Sequence, residues 1–178
     1  LLDDGKTARI ELLGRDGTVR GHTLVDLADL DRVLQKRWCL HVDAAQDRRC
    51  VMARTAGGRK NSKVIRLHTF LLQDVLLPKQ EVDHKNGDTL DNRRENLRPA
   101  TRTQNGRNIT RFHAKSGYKG VCRVCKTKTP SWFARIYVDN KPIHLGCFAT
   151  PEEAARAYNE AALMHHGEFA HLNEVPSV

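Results

Sequence analysis

From Glu81 to Asn108 the chain reads EVDHKNGDTLDNRRENLRPATRTQNGRN, which holds an Asp-His pair (Asp83, His84), two later asparagines at wide spacing (Asn96, Asn105), a run of arginines and no cysteine. These residue types suit the cutting of a phosphodiester. An aspartate is a hard oxygen ligand matched to Mg²⁺, a neighbouring histidine takes a proton from water near neutral pH, and arginines hold a polyanion.

The elements around that stretch must position it. Val82-Asp83-His84 reads as a strand end. Because consecutive strand side chains point to opposite faces, the pair can share one site only if the strand turns irregular there, which the NGD at Asn86–Asp88 allows. A loop through Asp91, Asn92 and Glu95 leads to a second short strand, Leu97–Ala100, which Pro99 marks as an edge. Thr101 and Gln104 form a capping-box pattern, so a helix begins at Arg102 and carries Asn105, with Asn108 about a turn further on.

Upstream, the pattern predicts a strand at Ala8–Leu13, a turn at Gly14–Gly17 and a helix at Val25–Lys36 with Leu27, Leu30, Val33 and Leu34 on one face. Short strands follow at Trp38–Val42, Cys50–Arg54 and Lys63–Leu67, then a buried helix at His68–Leu77 stopped by Pro78. His22, His41 and His68 read as packed or capping residues, and Cys39 and Cys50 as small core residues. This region is a small α+β scaffold behind the central motif.

The chain has 30 Lys+Arg against 21 Asp+Glu, a net charge of +9 and a pI near 9.6. Lys85–Lys128 holds 12 basic and 3 acidic residues, 12 − 3 = +9, so this window carries the whole excess and points to nucleic acid. Five cysteines at irregular spacing do not make a secreted disulfide framework. No apolar run reaches the length of a membrane span and no signal-peptide pattern opens the sequence, so a cytoplasmic setting is expected.

The residues VDHKNGDTLDNRRENL followed by ATRTQN resemble the HNH endonucleases of the ββα-metal class, especially the homing type. The resemblance implies that His84 is the first H of the signature and the general base, that Asn96 is the middle N, and that Asn105 stands where the last H gives the family its name. Asn at that position is common in the homing subgroup. Asp83 and Asn105 would hold one divalent metal, Mg²⁺ with Mn²⁺ able to substitute; Asn108 is the alternative amide ligand. Asn96 would hold the His84 segment in shape through amide hydrogen bonds to the loop backbone. The implied products carry 5′-phosphate and 3′-hydroxyl ends.

Asn105–Lys115 reads as the helix end and then a basic linker, to lie along a DNA groove or to serve as a tether; Arg107, Arg111 and Lys115 within it, and Arg102 at the helix start, are candidate DNA contacts. From Gly117 to Asn173 three strands (Tyr118–Val124, Trp132–Val138, Lys141–Phe148) precede a helix, with a tight turn at Asp139-Asn140, a capping box at Thr150–Glu153 and a stop at Gly167. SGYKGV, WFARIYV, HLGCFATPEEAARAYNEAA and HGEFAHLN resemble the DNA-binding domain of plant Apetala-type ethylene-response factors, whose sheet enters the major groove. The matching DNA-facing positions are Lys119, Cys122, Arg135, Tyr137 and His144, and Arg123 adds a further candidate contact. Where the plant pattern has Arg, Arg, Glu, Arg and Trp, this chain keeps the charge only at the first, so the plant target sequence does not transfer. Trp132 and Phe133 read as core. Cys122 and Cys125, with Cys147 and His144 nearby, make a zinc site conceivable, but residues three apart on a strand face opposite ways and zinc is not expected.

The organisation is therefore α+β: an N-terminal scaffold at 1–80, an HNH ββα-metal motif at 81–110, a linker at 111–116, and a three-stranded antiparallel sheet packed on one helix at 117–173. The function expected is a homing-type, metal-dependent endonuclease acting on double-stranded DNA, a monomer on its target in a bacterial or phage-infected host. Two rivals are a non-catalytic DNA-binding regulator with a decayed nuclease region and a zinc-stabilised nucleic-acid-binding module.

Overall fold

The computed structural model describes residues 2, 4–44, 48–55, 62–108, 116–124 and 131–176. The chain divides into two compact units, Leu1–Arg102 and Thr103–Val178. It is mixed α+β, with four α-helices among the described residues and several small antiparallel sheets.

In the first unit, β1 (Thr7–Leu13) pairs antiparallel with β2 (Val19–Asp26). Where helical spacing predicts Val25–Lys36 as one helix, β2 runs through Asp26, a 3₁₀ turn covers Leu27–Asp29, and α1 is only Leu30–Leu34. Burial explains the difference. Thr23 and Val25 alternate inward on β2, whereas Leu27 and Leu34 of the supposed stripe are exposed, so pairing with β1 outweighs the local pattern. Strands β3 (Cys39–Asp43), β4 (Arg48–Arg54) and β5 (Val64–Arg66) form a second sheet in that order. Helix α2 spans Leu67–Leu72 and stops before Leu77, because Pro78 disfavours helical backbone at the residue before it, and Val75 and Leu77 are exposed. Strands β6 (Glu81–His84) and β7 (Leu97–Ala100) make a two-stranded hairpin. Leu12, Val25, Val33, Trp38, Val51, Leu67, Leu71, Val82 and Leu97 share one core, which joins the hairpin to the scaffold. Cys39 on β3 is exposed and Cys50 on β4 half-buried, so neither is a core residue.

The second unit begins within α3 (Arg102–Arg107) and contains β8 (Val121–Val124), β9 (Ser131–Val138), β10 (Lys141–Phe148) and α4 (Pro151–His166), with β9 central. Asp139 and Asn140 both have positive φ, 50° and 63°, as a two-residue turn between strands requires. Ala154, Ala155, Ala161 and Ala162 are buried, and these small side chains let α4 lie close to the sheet with Tyr158 between.

Candidate active site

The hairpin register sets the first geometry. Asp83 stands opposite Arg98 and His84 opposite Leu97, with no slip from Glu81↔Ala100 onward. The strand is therefore regular through His84, not irregular at the Asp-His pair, and the turn starts at Lys85, whose N–H donates to Asn96 O at 2.8 Å. Gly87, at φ 75°, carries the reversal and donates to His84 O. Cross-strand placement puts the Arg98 guanidinium on Asp83, with Nε and Nη2 donating to Oδ2 at 2.8 and 2.7 Å. Asp83 is 4 % exposed and His84 6 %. A carboxylate buried to that degree needs such a partner, since an unpaired buried charge is costly.

His84 lies between two neighbours. Its Nε2 is 3.3 Å from Asn92 Oδ1, and its ring meets His68 of α2 edge-on, with centroids 5.0 Å apart. Burial pulls the His84 pKa below its ordinary value, opposed by the Asn92 hydrogen bond and nearby aspartates. Burial, helped by His84 and Arg66, takes His68 down to about 3. Both rings are thus neutral near pH 7. His68 is packed, as its place at the start of an apolar helix implies, yet what it packs on is the candidate base.

Asn96 ties the loop together. Its Oδ1 accepts from Asn86 N–H at 3.0 Å and its Nδ2 donates to Asp91 O at 2.8 Å. Arg93 clamps Asp91 through Nε and Nη2 at 2.8 and 2.7 Å and holds that carboxyl below its usual range. The scaffold grips the same loop from β2 and the 3₁₀ turn after it: Leu24 N–H donates to Leu90 O, Asn92 N–H to Leu24 O, and Arg94 pairs with buried Asp29 at 2.6 and 2.7 Å. Thr23, Asn92, Arg94 and Arg98 are not legible as site residues in the sequence, because each acts through a partner 8 to 69 positions away. The DN dipeptide at Asp91-Asn92 is the one local signal, and it reads as an ordinary turn.

Asn105 lies half-buried on α3, in the second unit. Of the residues expected to meet DNA, Arg102 is exposed at the start of α3, and Arg107 is half-buried, its guanidinium 3.5 Å from Asp139. Arg111 and Lys115, with Cys125, lie outside the described residues. Lys119 is turned to the end of α3, where Nζ donates to Arg107 O at 2.5 Å, and burial lowers its pKa to about 8. Cys122, Arg135, Tyr137 and His144 share the outer face of the sheet with Phe133: Arg135 sits over the Phe133 and Tyr137 rings at 5.8 and 5.5 Å, and His144 stacks on Phe133 at 5.9 Å. Phe133 is therefore a surface platform, while Trp132, on the other face, joins the core. Arg123 is exposed on β8. Among the described residues no three His, Cys, Asp or Glu side chains are grouped so as to hold a metal.

Residues 77–107 match the HNH endonuclease family model. The match covers β6, its loop, β7 and α3, and it points to nuclease chemistry and a DNA substrate at this segment. The chain is also similar to an ethylene-responsive transcription factor-like protein of Arabidopsis thaliana, 54% identical over 37 residues, or 21% of this chain. That stretch spans 16% of the relative. No solved structure matches. Among the described residues no helix is long and apolar enough to cross a membrane.

Proposed function

We propose that this protein is a metal-dependent, homing-type HNH endonuclease that hydrolyses DNA to 5′-phosphate and 3′-hydroxyl ends, with a ββα-metal arrangement built from β6, β7 and α3. The observation that carries the reading is the Asp83-His84 pair at the end of β6, its following loop tied by Asn96, inside the segment that matches the family. A neutral His84 is the general base: it takes a proton from water, the water oxygen bonds to phosphorus, and the bond to the 3′ oxygen breaks, that oxygen gaining a proton from solvent. Since a regular strand aims Asp83 and His84 apart, the phosphodiester lies across the end of β6 rather than over one face of the hairpin.

Asp83 and Asn105 would hold the divalent ion. Their donors are a carboxylate and an amide oxygen, the hard set that Mg²⁺ takes with waters and phosphate. A carboxylate has about four lone-pair sites, so Asp83 accommodates Arg98 and a cation together. The bound ion supplies stabilisation of charge on the leaving oxygen. Arg98 holds Asp83 in place by a two-donor contact, and Arg135, Tyr137 and His144, with Arg102, Arg107, Arg111, Lys115, Lys119 and Arg123, supply DNA affinity. Lys119 reaches phosphate only by leaving its carbonyl partner.

One observation favours the second reading, a DNA-binding regulator with an inactive nuclease region. Asp83 and His84 are almost fully buried, and Arg98 already occupies Asp83 Oδ2. Supercoiled-plasmid cleavage with Mg²⁺, Mn²⁺ or EDTA separates the two. Metal-dependent nicking that falls by about 10²- to 10⁴-fold in His84→Ala at matched DNA binding is the expected result. Binding without cutting across a broad set of sequences, with either ion, supports the regulator.

A further inference from the structure

We propose that Asn92, seated by Thr23, is a positioning residue for His84: it accepts the Nε2 proton and so fixes the imidazole tautomer whose lone pair lies on Nδ1. The catalytic consequence rests on His84 being the base; the tautomer is a property of the folded chain.

A proton inventory carries the assignment. The Thr23 hydroxyl has one proton, and Oγ1 gives it to Leu90 O at 2.7 Å. Toward Asn92, at 2.9 Å, Thr23 can therefore only accept, so the group facing it is the Asn92 NH₂. The same NH₂ lies 3.3 Å from Thr89 O, another pure acceptor. A flipped amide would set oxygen against Thr89 O, which settles the orientation. Asn92 Oδ1 then faces His84 Nε2, and an amide oxygen cannot donate, so Nε2 carries the hydrogen. At 3.3 Å this bond is at the long end of the hydrogen-bond range.

The arrangement is built rather than incidental. Asn92 is 1 % exposed and Thr23 2 %, and they belong to the loop and to β2, 69 positions apart. The Asn92 N–H donates to Leu24 O, which fixes the backbone from which the amide reaches His84. The edge of His68 fixes the ring plane on a further side. Burying a polar side chain at this level is costly unless all its bonds are made, and here they run in one chain from β2 to the candidate base.

The test is the imidazole pattern of His84 in long-range ¹H–¹⁵N spectra of the full chain, assigned by difference from His84→Ala, alongside plasmid cleavage with Mg²⁺. Wild type is expected to show one neutral tautomer, protonated on Nε2. Asn92→Ala and Thr23→Val are expected to show both tautomers and to cut about 10- to 100-fold more slowly at unchanged DNA affinity, with Thr23→Ser restoring spectrum and rate. A wild-type His84 protonated on Nδ1 overturns the inference, as does Asn92→Ala with the wild-type tautomer and rate. Should Asn92→Ala not fold, the wild-type spectrum and the Thr23 pair decide alone. A wild type that cuts nothing removes the nuclease reading, and the spectra still decide whether Asn92 sets the tautomer.

Discussion

The β6–β7 hairpin and the β8–β10 sheet with α4 are both small antiparallel assemblies, yet they are held by different kinds of contact. The hairpin has only two strands, too few to stand alone in water, and its 12-residue loop, 85–96, is pinned by Thr23 of β2 on Asn92, by Asp29 of the 3₁₀ turn on Arg94, and by the β4 backbone, where Arg49 O accepts from Thr89 Oγ1 at 2.7 Å. The sheet and α4 are held by alternation, a two-residue turn, a capping box and alanines that admit close packing. The candidate site thus depends on polar side chains from distant residues, whereas the sheet depends more on apolar packing against α4, with Asn173 bonding the Lys119 backbone. Damage to either should stay local.

Gly120→Ala is the strongest way to break the second assembly. Gly120 has φ +76°, and an added Cβ would lie 2.1 Å from the Tyr158 ring and 2.6 Å from Arg135 O. Left-handed backbone costs an alanine about 1–2 kcal/mol and overpacking about 1–3 kcal/mol more. Hydrogen exchange read by mass spectrometry should show protection lost across Val121–Phe169 and kept across Glu81–Ala100. Equal loss in both would show that the two assemblies depend on one another.

The same contrast explains what the sequence reveals. Strand β10, the Asp139-Asn140 turn, the Thr150 cap and the Gly167 stop are each decided within four residues, and each stands where the sequence places it. Strands β6 and β7 and the start of α3 are likewise legible, since Pro99 and the turn residues are local. Strand β2 is not, because its inward Thr23 and Val25 are overlaid by a helical spacing that runs on into α1. The site divides in the same way. Asp83, His84 and Asn96 stand out by type and spacing, while Arg98, Asn92 and Thr23 acquire meaning only from cross-strand register and β2 contacts.

Acid should weaken the hairpin region more than the sheet. In the unfolded chain a histidine takes a proton near pH 6.5, but folded His68 does so only near about 3 and His84 below its usual value. The unfolded state therefore binds more protons in this window. The stability due to these neutral rings is complete above about pH 6.5 and is lost as pH falls through each folded value, toward about 3 for His68. For His68 alone the loss is on the order of 2 kcal/mol by about pH 5. His166 and His171 in the second unit are lowered in the same sense by burial, so the sheet also weakens. The sharper form of the comparison is His68→Phe, which keeps an edge-on ring without a titrating nitrogen. Exchange protection of Glu81–Ala100 should then depend less on pH between 7 and 5, while that of Val121–Phe169 is unchanged. A pH dependence identical to wild type in the hairpin would remove His68 from the account.

Thr150→Ala probes the smallest of these effects. Thr150 Oγ1 accepts from Glu153 N–H at 3.2 Å, and Glu153 Oε2 accepts from Thr150 N–H at 3.3 Å, so the substitution removes the hydroxyl arm of the box and keeps the backbone one. Loss of such a cap costs about 1 kcal/mol. The loss should appear as faster exchange in the first turns of α4, with Thr150→Ser close to wild type because its hydroxyl fills the same place. Ala154 and Ala155 are fully buried one turn inside the cap, so fraying there also loosens α4 from β8 and β9. Helix ends that rest on solvent fray without consequence; this one would transmit a local loss to the sheet, and exchange at Val121 and Ala134 rising with that of α4 is the outcome that distinguishes the two.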